Sequence, residues 1–269
     1  MSNIIDLSNH TTFGIGPTAF CKTIYDIEEL KKTSSCFILG KGSNILFLNK
    51  LKSPIIINKT DKFSFDSTVL YAQSGCSLSF LAKKSAMQGL SGLEWAYLLP
   101  ASVGGAIKMN AGAFGKCIAD TISKVGVLRN GKVVEFSARE CGFSYRKSAF
   151  LDDDIILYAY FNLKKADINA CLFSLFDIEQ KRKAQPKGKS AGCIYKTKEK
   201  SAGWYIDKAG LKNKRIGDIF ISPIHAGFFI NAGKGKCEEV LRLMDYTEKC
   251  VQDKFNVTLE KEIKIVGEL

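Results

Sequence analysis

A long, almost uncharged stretch in the first half of the chain constrains the fold more than any other feature. Residues 89–115 hold six glycines among 27 positions, and Glu94 and Lys108 are the charged side chains there. Glycine adopts backbone conformations that other residues avoid, and it lets a ligand approach the main chain closely. The stretch therefore indicates either a buried glycine-rich hairpin or a backbone-lined site for a large flat or phosphorylated ligand.

Composition excludes several classes of protein. The chain has 269 residues, 46% of them hydrophobic and 25% charged, which is typical of a folded protein rather than a disordered or disulfide-stapled one. No apolar run reaches the roughly 18 residues of a membrane span, and the first residues lack the features of a secretory signal. We therefore expect a cytoplasmic protein without a membrane span. Nine dispersed cysteines and two histidines argue against a metal site, a disulfide framework or a Ser-His-Asp triad.

The formal charge of +12 predicts an anionic partner. Residues 180–217 carry twelve of the basic groups against two acidic ones, so the excess is concentrated in one segment. Nucleic acid, an anionic membrane surface and phosphorylated small molecules all satisfy the charge alone. Because the chain has no nucleic-acid motif and no aromatics interleaved with the basic run, a basic nucleic-acid-binding protein is the weaker alternative.

Helices and strands are predicted in irregular succession, which favours an α+β fold over a doubly wound sheet. Asn130-Gly131, between two apolar runs, predicts a type I′ hairpin. Ser77 is a predicted helix cap and Gly89 a helix end. Hydrophobic periodicity predicts helices over 77–88, 169–184, 201–209 and 237–251, and strands over 36–39, 45–48, 69–72, 155–163, 216–221, 227–231 and 258–266.

The loop Gly40-Lys41-Gly42-Ser43-Asn44 invites comparison with a dinucleotide-binding fingerprint. That fingerprint needs a third glycine and an immediate helix, whereas here the apolar run 45–48 suits a buried strand. The loop is therefore either a nest of main-chain N–H groups that holds a phosphate or a plain turn.

Taken together, this loop, the segment Thr11–Gly16 and the glycine-rich stretch resemble the FAD-binding half of the UDP-N-acetylenolpyruvoylglucosamine reductase (MurB) family. Cys193 follows Arg146 by only 47 positions, so the chain resembles the shorter branch, which lacks a tyrosine-bearing insertion. The resemblance continues in order through Phe143–Ser148, Ser190–Lys196, Ala202–Lys212, Ile224–Phe228 and Leu259–Gly267.

The resemblance implies an α+β fold with a two-part FAD-binding region of the vanillyl-alcohol-oxidase/PCMH type and a C-terminal α+β substrate-binding domain. Residues 1–62 and 63–185 would form the two FAD-binding subdomains, and residues 186–255 the UDP-sugar domain. The polar stretch that begins at Gln185-Pro186 is the expected boundary, and a C-terminal strand within 256–269 could return to the first subdomain.

The activity implied by the resemblance has two halves. NADPH reduces FAD, and hydride then passes to the enolpyruvyl double bond of UDP-N-acetylglucosamine enolpyruvate to give UDP-N-acetylmuramate for peptidoglycan. The implied partners are these two small molecules, without nucleic acid, and the implied state is a monomer. The implied cofactor-binding residues are Gly40, Lys41, Gly42, Ser43, Asn44, Pro100, Ala101, Ser102, Val103, Gly104, Gly105, Asn110 and Gly112.

Arg146, Cys193 and Glu262 match the catalytic positions of the family, and Tyr145 and Lys196 match substrate contacts. A fixed arginine suits the negative charge that spreads into the substrate carboxylate after hydride addition, and the glutamate would act by hydrogen bonding. Cys193 stands where the family usually has a serine acid. An ordinary thiol, with a pKa of about 8.5, is a better proton donor than an alcohol.

Two departures limit the transfer of residues from the family. Thr197-Lys198 replaces the usual Asn-Pro after Lys196, and Gly227 replaces the asparagine of His-Ala-Asn-Phe. Two further alternatives stay open. One is an FAD oxidoreductase of the same superfold with another substrate, and the other is a degenerate homologue with a structural role.

Overall fold

A computed structural model of the chain describes residues 2–269. Helices and strands follow one another irregularly, so the α+β expectation is confirmed. The helices are α1 (Ile27–Leu30), α2 (Leu78–Ala86), α3 (Val103–Lys108), α4 (Ile168–Lys183), α5 (Ala202–Lys208) and α6 (Cys237–Phe255). Short 3₁₀ turns cover Leu7–His10, Glu94–Ala96 and Ile118–Asp120. None of these helices is long and apolar enough to cross a bilayer.

Twenty strands, most of them short, account for the β structure of the described residues. They are β1 (Ser2–Asp6), β2 (Thr18–Ile24), β3 (Phe37–Leu39), β4 (Ile45–Phe47), β5 (Ile55–Asn58), β6 (Phe63–Asp66), β7 (Val69–Gln73), β8 (Leu90–Ser91), β9 (Gly112–Ala113), β10 (Lys116–Cys117), β11 (Ile122–Arg129), β12 (Lys132–Ser137), β13 (Ile155–Asn162), β14 (Lys164–Lys165), β15 (Tyr195–Lys196), β16 (Arg215–Ile216), β17 (Ile219–Ile221), β18 (Phe229–Asn231), β19 (Glu260–Lys261) and β20 (Lys264–Val266).

Polar caps set where α2, α3, α4 and α5 begin. The side chains of Ser77, Ser102, Asp167 and Ser201 each accept a hydrogen bond from the main-chain N–H three residues further on. Such a cap satisfies one of the N–H groups that the first turn of a helix leaves without a partner. The predicted Ser77 cap is confirmed, and Gly89 follows α2 in the left-handed region at φ +65°.

The described chain divides into two compact units. The first unit comprises residues 2–3, 21–41 and 53–184, and the second comprises 4–20, 42–52 and 185–269. Both are therefore discontinuous along the sequence. The assignment of 1–62, 63–185 and 186–255 to three separate domains remains a prediction.

Two sheets build the first unit. In one, residues 21–24 of β2 and the whole of β3 run parallel to β5. The other has five antiparallel strands in the order β12-β11-β13-β7-β6. Asn130 and Gly131 join β11 to β12 with φ +50° and +72°, so the predicted type I′ hairpin is confirmed.

Most of the first unit's core lies between α2, α3 and the five-stranded sheet. Its fully buried side chains include Leu78 and Leu81 of α2, Val103 and Ile107 of α3, and Phe161 of β13. Burial of each large apolar side chain is worth about 1.5–3 kcal/mol, so this cluster holds α3 firmly against the sheet. A smaller cluster around Leu30, Ile56 and Leu157 fills the space beside the parallel strands.

The second unit packs α5 and α6 with short paired strands. Strands β16, β17 and β18 form an antiparallel sheet, β15 pairs with β19, and β20 runs parallel to β4. Its core centres on Phe229, Leu243 and Met244, each 0% exposed. The partner of β20 is therefore the strand that directly follows the Gly40–Asn44 loop.

Two predicted strands were wrong in their extent. The run 216–221 is a hairpin of β16 and β17, turned at Gly217 (φ +56°) and Asp218. The run 258–266 is split into β19 and β20, which pair with different partners. Each segment is apolar enough for one strand. Hydrophobic periodicity does not show that the first segment turns at a left-handed glycine, or that the second changes its partner strand midway.

Candidate active site

The Gly40–Asn44 loop lies between β3 and β4, and a strand rather than a helix follows it. Gly42 adopts φ +61°, and a Cβ atom there would lie 2.2 Å from the carbonyl oxygen of His10. The N–H of Thr12 donates to the carbonyl of Gly42 at 3.1 Å. Because the main chain of residues 10–12 passes so close, glycine is required at position 42.

Residues 40–44 are exposed or half-buried apart from Gly42, which is buried. None of the N–H groups of residues 40–44 donates a hydrogen bond within the part of the chain that the structure describes. Successive N–H groups around a left-handed residue form an anion-binding nest. The loop therefore fits the phosphate-holding interpretation better than that of a plain turn.

The glycine-rich stretch approaches the same loop through Ser102. The Ser102 hydroxyl caps α3 by accepting from the N–H of Gly105 at 3.3 Å. A Cβ atom at Gly40 would lie 2.1 Å from that hydroxyl oxygen, so only glycine fits. Of the expected cofactor residues nearby, Ala101 and Val103 are buried whereas Pro100 and Gly105 are exposed. Gly40 and the start of α3 are thus neighbours, although about sixty residues separate them in sequence.

Arg146 sits at the tip of a two-residue turn. Ser144 and Lys147 exchange two main-chain hydrogen bonds of 3.0 and 3.1 Å, which leaves Tyr145 and Arg146 between them. Arg146 adopts φ +55°, a region that L residues other than asparagine and aspartate rarely take. The guanidinium carbon lies 5.3 Å from the Tyr145 ring centre, and Tyr145 is 66% exposed. Strain at a chemically competent arginine is typical of a functional site.

Cys193 lies on an extended segment just before β15. It forms a bridge with Phe228, and the N–H of Ile194 donates to the carbonyl of Gly227 at 3.0 Å. A Cβ atom at Gly227 would lie 3.3 Å from the Cys193 sulfur and 2.9 Å from Cε1 of His225. The His225 ring accepts a hydrogen bond at Nδ1 from the N–H of Gly227, at 3.1 Å. The Cys193 thiol and the His225 ring therefore both border the space that a side chain at residue 227 would occupy.

The backbone of Glu262 is fixed from both sides. Its N–H donates to the carbonyl of Ile194 at 2.8 Å, and its carbonyl accepts from Nδ2 of Asn44 at 2.9 Å. Two residues after Ile194, in β15, Lys196 has its Nζ 3.6 Å from the carboxylate of Glu260 in β19. The pairing of β15 with β19 thus brings the segments of Cys193 and Glu262 side by side.

The predicted site residues fall into two groups. The first unit carries Arg146, Tyr145, Gly40, Lys41 and the cofactor residues of 100–112, and the second carries Cys193, Lys196, Glu262 and residues 42–44. Within the first unit Gly40 meets Ser102, and within the second Asn44 meets Glu262. Asn44 was predicted as a cofactor residue, and its side chain also holds the Glu262 backbone.

Sequence reasoning missed the roles of His225 and Gly227 beside Cys193, and those of Asn110 and Lys108 beside the Arg146 turn. For His225 and Gly227, the sequence did hold a signal: glycine stands where the family usually has asparagine. The absent side chain leaves room next to the Cys193 sulfur. For the second pair, an asparagine two residues after a helix is typical of a left-handed backbone position, and Asn110 adopts φ +41°.

The cysteines are less buried than expected. Eight were predicted to be small buried groups, but of these Cys36, Cys117 and Cys250 are half-buried. Burial raises the pKa of Cys76 and Cys141 to about 11, so these two thiols are poor nucleophiles at neutral pH. No cluster of three His, Cys, Asp or Glu side chains suited to a metal ion occurs within residues 2–269.

Part of the basic segment stabilises the protein itself. Arg182 belongs to α4 of the first unit, where Nε and Nη2 donate to main-chain carbonyls at 2.7 and 3.1 Å. In the second unit Lys212 pairs with Asp207 at 2.9 Å. The cations available to an anionic ligand are therefore fewer than the count in the sequence.

Comparison with known proteins decides the family. The chain is 36% identical to the UDP-N-acetylenolpyruvoylglucosamine reductase of Clostridium novyi (strain NT), over 100% of this chain and 92% of that protein. The reductase of Thermus thermophilus is also 36% identical, over 96% of this chain and 97% of its own. The chain belongs to the UDP-N-acetylenolpyruvoylglucosamine reductase family.

Structure and domain profiles agree with membership of the reductase family. The crystal structure of UDP-N-acetylenolpyruvylglucosamine reductase (MurB) from Thermus caldophilus matches with a TM-score of 0.89 at 34% identity, covering 99% of both chains. Residues 29–137 match the FAD binding domain profile, and residues 184–266 match the profile of the C-terminal domain of the reductase. The expected FAD-binding α+β fold is confirmed.

The residues present fit FAD, the cofactor of this family. The available N–H groups of residues 40–44 suit the pyrophosphate of a dinucleotide. Gly105 is exposed at the start of α3, and the segment from Pro100 to Gly105 carries no charged side chain, so main chain is available to a flat ring. Each of these two segments, taken by itself, therefore fits a part of FAD.

Proposed function

We propose that the protein uses NADPH and FAD to reduce the enolpyruvyl group of UDP-N-acetylglucosamine enolpyruvate, giving UDP-N-acetylmuramate for peptidoglycan synthesis. The observation that carries the proposal is the match with reductases over the whole chain, 36% identical across 100% of its residues.

When bound, FAD supplies a two-electron carrier that accepts hydride from NADPH and delivers it to the enolpyruvyl double bond. Hydride addition to one carbon of that bond leaves negative charge that spreads into the neighbouring carboxylate. Arg146 is the proposed counter-charge, because a guanidinium stays protonated and grips a carboxylate through two parallel hydrogen bonds. Its position on a tight turn supports the role, since a fixed cation needs no reorganisation during the reaction.

Cys193 is the proposed donor of the proton that completes the reduction. Its thiol hydrogen goes to the other carbon of the former double bond, and the thiolate is reprotonated from solvent. The space at Gly227 supports this role, because a glycine places no side chain beside the sulfur on that side. Thiol donors have a pKa nearer to neutral pH than alcohols, which favours proton transfer.

Glu262 is proposed to hydrogen-bond the same intermediate, directly or through water. Its backbone is held by Ile194 and Asn44, so the direction of its side chain is limited by two hydrogen bonds on the main chain. Lys196 and Tyr145 are the proposed substrate contacts. Lys196 already faces a carboxylate, Glu260 at 3.6 Å, so an anionic substrate would compete for this cation.

Location and assembly follow from the same proposal. UDP-linked peptidoglycan precursors are built in the cytoplasm, and we place the protein there. We also propose that it acts as a monomer, which light scattering of the purified protein tests directly.

The decisive experiment uses the purified protein loaded with FAD in the absence of oxygen. NADPH should bleach the flavin absorbance, and UDP-N-acetylglucosamine enolpyruvate should then restore it with formation of UDP-N-acetylmuramate. A protein that binds FAD and is bleached, but is not reoxidised by this substrate, would instead be a flavin oxidoreductase with another substrate. Failure to take up FAD at all would overturn the proposal.

A further inference from the structure

The turn that carries Arg146 does not hold itself in place. A left-handed backbone at a residue other than glycine is unfavourable by about 1 kcal/mol or more, and Arg146 adopts one at φ +55°. Two hydrogen bonds between Ser144 and Lys147 close the turn but do not fix where it points. Contacts from elsewhere must therefore set the position of the guanidinium.

Asn110 supplies one of these contacts. Its Nδ2 donates to the carbonyl of Ser144 at 2.8 Å, and its Oδ1 accepts from the N–H of Ala119 at 3.3 Å. The residue is 7% exposed. A buried amide with both ends engaged has one orientation, because turning it would leave a donor facing a donor.

Lys108 and Ser148 supply contacts on the other side of the turn. The Ser148 hydroxyl donates to the carbonyl of Lys108 at 2.8 Å, and Nζ of Lys108 donates to the carbonyl of Phe150 at 3.1 Å and to that of Leu151. Both flanks of the turn are thus tied to the end of α3. The beginning of α3 is capped by Ser102, next to Gly40.

We propose that the side-chain amide of Asn110 is a positioning group for Arg146, acting through the carbonyl of Ser144. The inference rests on the proposed function. It assigns Asn110 a role other than the cofactor contact implied by sequence resemblance. The short helix α3 then links the glycine-rich stretch to the turn that carries the arginine.

Substitution of Asn110 distinguishes a group that positions Arg146 from a group that contacts the cofactor. Asn110→Gly removes the amide while tolerating the left-handed backbone, and Asn110→Asp keeps the shape while losing the donor. If the amide positions Arg146, both variants retain FAD and are reduced by NADPH within twofold of wild type, but are reoxidised by UDP-N-acetylglucosamine enolpyruvate at least tenfold more slowly. A loss of FAD affinity with normal reoxidation of the loaded enzyme would overturn the proposal in favour of a cofactor contact.

A double-mutant cycle tests whether the amide acts through the arginine. In an Arg146→Ala background, Asn110→Gly should slow reoxidation less than twofold further, because the group to be positioned is gone. A full tenfold effect in that background would overturn the proposal, as would equal slowing of both half-reactions. Ser123→Ala is the matched control, since it removes a hydroxyl-to-carbonyl bond of 3.1 Å elsewhere in the same unit and should leave both half-reactions unchanged. Wild-type protein that is bleached but not reoxidised would show instead that the proposed function itself is wrong.

Discussion

A Cβ atom added at Gly227 would lie 3.3 Å from the sulfur of Cys193. This is closer than most carbon contacts of real side chains, and the same atom would press on His225 at 2.9 Å. The cysteine and the glycine therefore form a matched pair: the larger sulfur atom is accommodated where residue 227 has no side chain.

Gly227→Ala should push the Cys193 thiol away from its position. We expect reoxidation by the enolpyruvyl substrate to slow at least tenfold while reduction by NADPH stays within twofold of wild type. Stopped-flow absorbance of the two half-reactions measures this. In a Cys193→Ser background the alanine should be better tolerated, since oxygen is smaller than sulfur; an equal effect in both backgrounds would contradict the pairing.

Alkylation of Cys193 should abolish the second half-reaction. The thiol is half-buried, whereas five of the other cysteines are buried, so iodoacetamide should inactivate wild-type protein and leave Cys193→Ser protected. Cys250→Ser, which changes another half-buried cysteine of the same unit, is the control and should remain sensitive. Inactivation of Cys193→Ser at the wild-type rate would rule out this thiol as the target.

Gly40→Ala should weaken FAD binding through a clash with Ser102. The added carbon would lie 2.1 Å from the Ser102 hydroxyl, so the loop or α3 must shift. We expect a lower ratio of flavin to protein absorbance in the purified variant. Adding Ser102→Ala should restore part of the FAD content, although loss of the cap alone is worth about 1 kcal/mol. No recovery in the double variant would mean that the two positions are not coupled.

Asp154 should contribute stability that depends on pH. Its side chain is 1% exposed and accepts from Nε and Nη2 of Arg129 at 2.7 and 2.5 Å. Burial by itself raises the pKa of Asp154, but the hydrogen bonds from Arg129 and Leu151 outweigh it and hold the pKa below its usual value.

Because the pKa is depressed in the folded state, this stabilisation is complete above the unfolded-state value of about 3.9 and is lost as pH falls through the folded-state value. Asp154→Asn should lower the free energy of unfolding by about 2–4 kcal/mol at neutral pH and flatten its decline below about pH 4. Urea unfolding at several pH values measures both effects. Asp177→Asn, which breaks an exposed pair with Lys181, should change stability by less than about 0.5 kcal/mol; a similar loss in both variants would contradict the account.

Local signals in the sequence predicted local structure well. Asn130-Gly131 and the Ser77 cap depend on neighbouring residues alone, and both are confirmed. The tip of the Arg146 turn could not be predicted, because neither Tyr145 nor Arg146 is a residue that turn rules favour in the left-handed region. Its conformation depends on Asn110, which is 34 residues from Ser144 in sequence.

The residues of the candidate site were predicted from the order of the family's motifs along the chain. The charge, spacing and periodicity of any single segment would not have identified them. Charge and spacing alone would have left Glu262 as a surface carboxylate. Its relation to Cys193 depends on the pairing of β15 with β19, and its relation to Asn44 on a hydrogen bond across 218 residues. Long-range contacts of this kind leave no periodic trace in a single sequence.

The parallel pairing of β4 with β20 has a consequence for how the chain folds during synthesis. Every segment of the first unit has been made once Ala184 is added, so that unit can fold while the ribosome is still at work. Strand β4 instead waits for its partner Lys264–Val266, which lies far downstream in the chain. Contacts this distant along the chain form slowly. The half of the protein that carries Cys193 and Glu262 therefore completes its folding only after this downstream strand has been made, later than the first unit can fold.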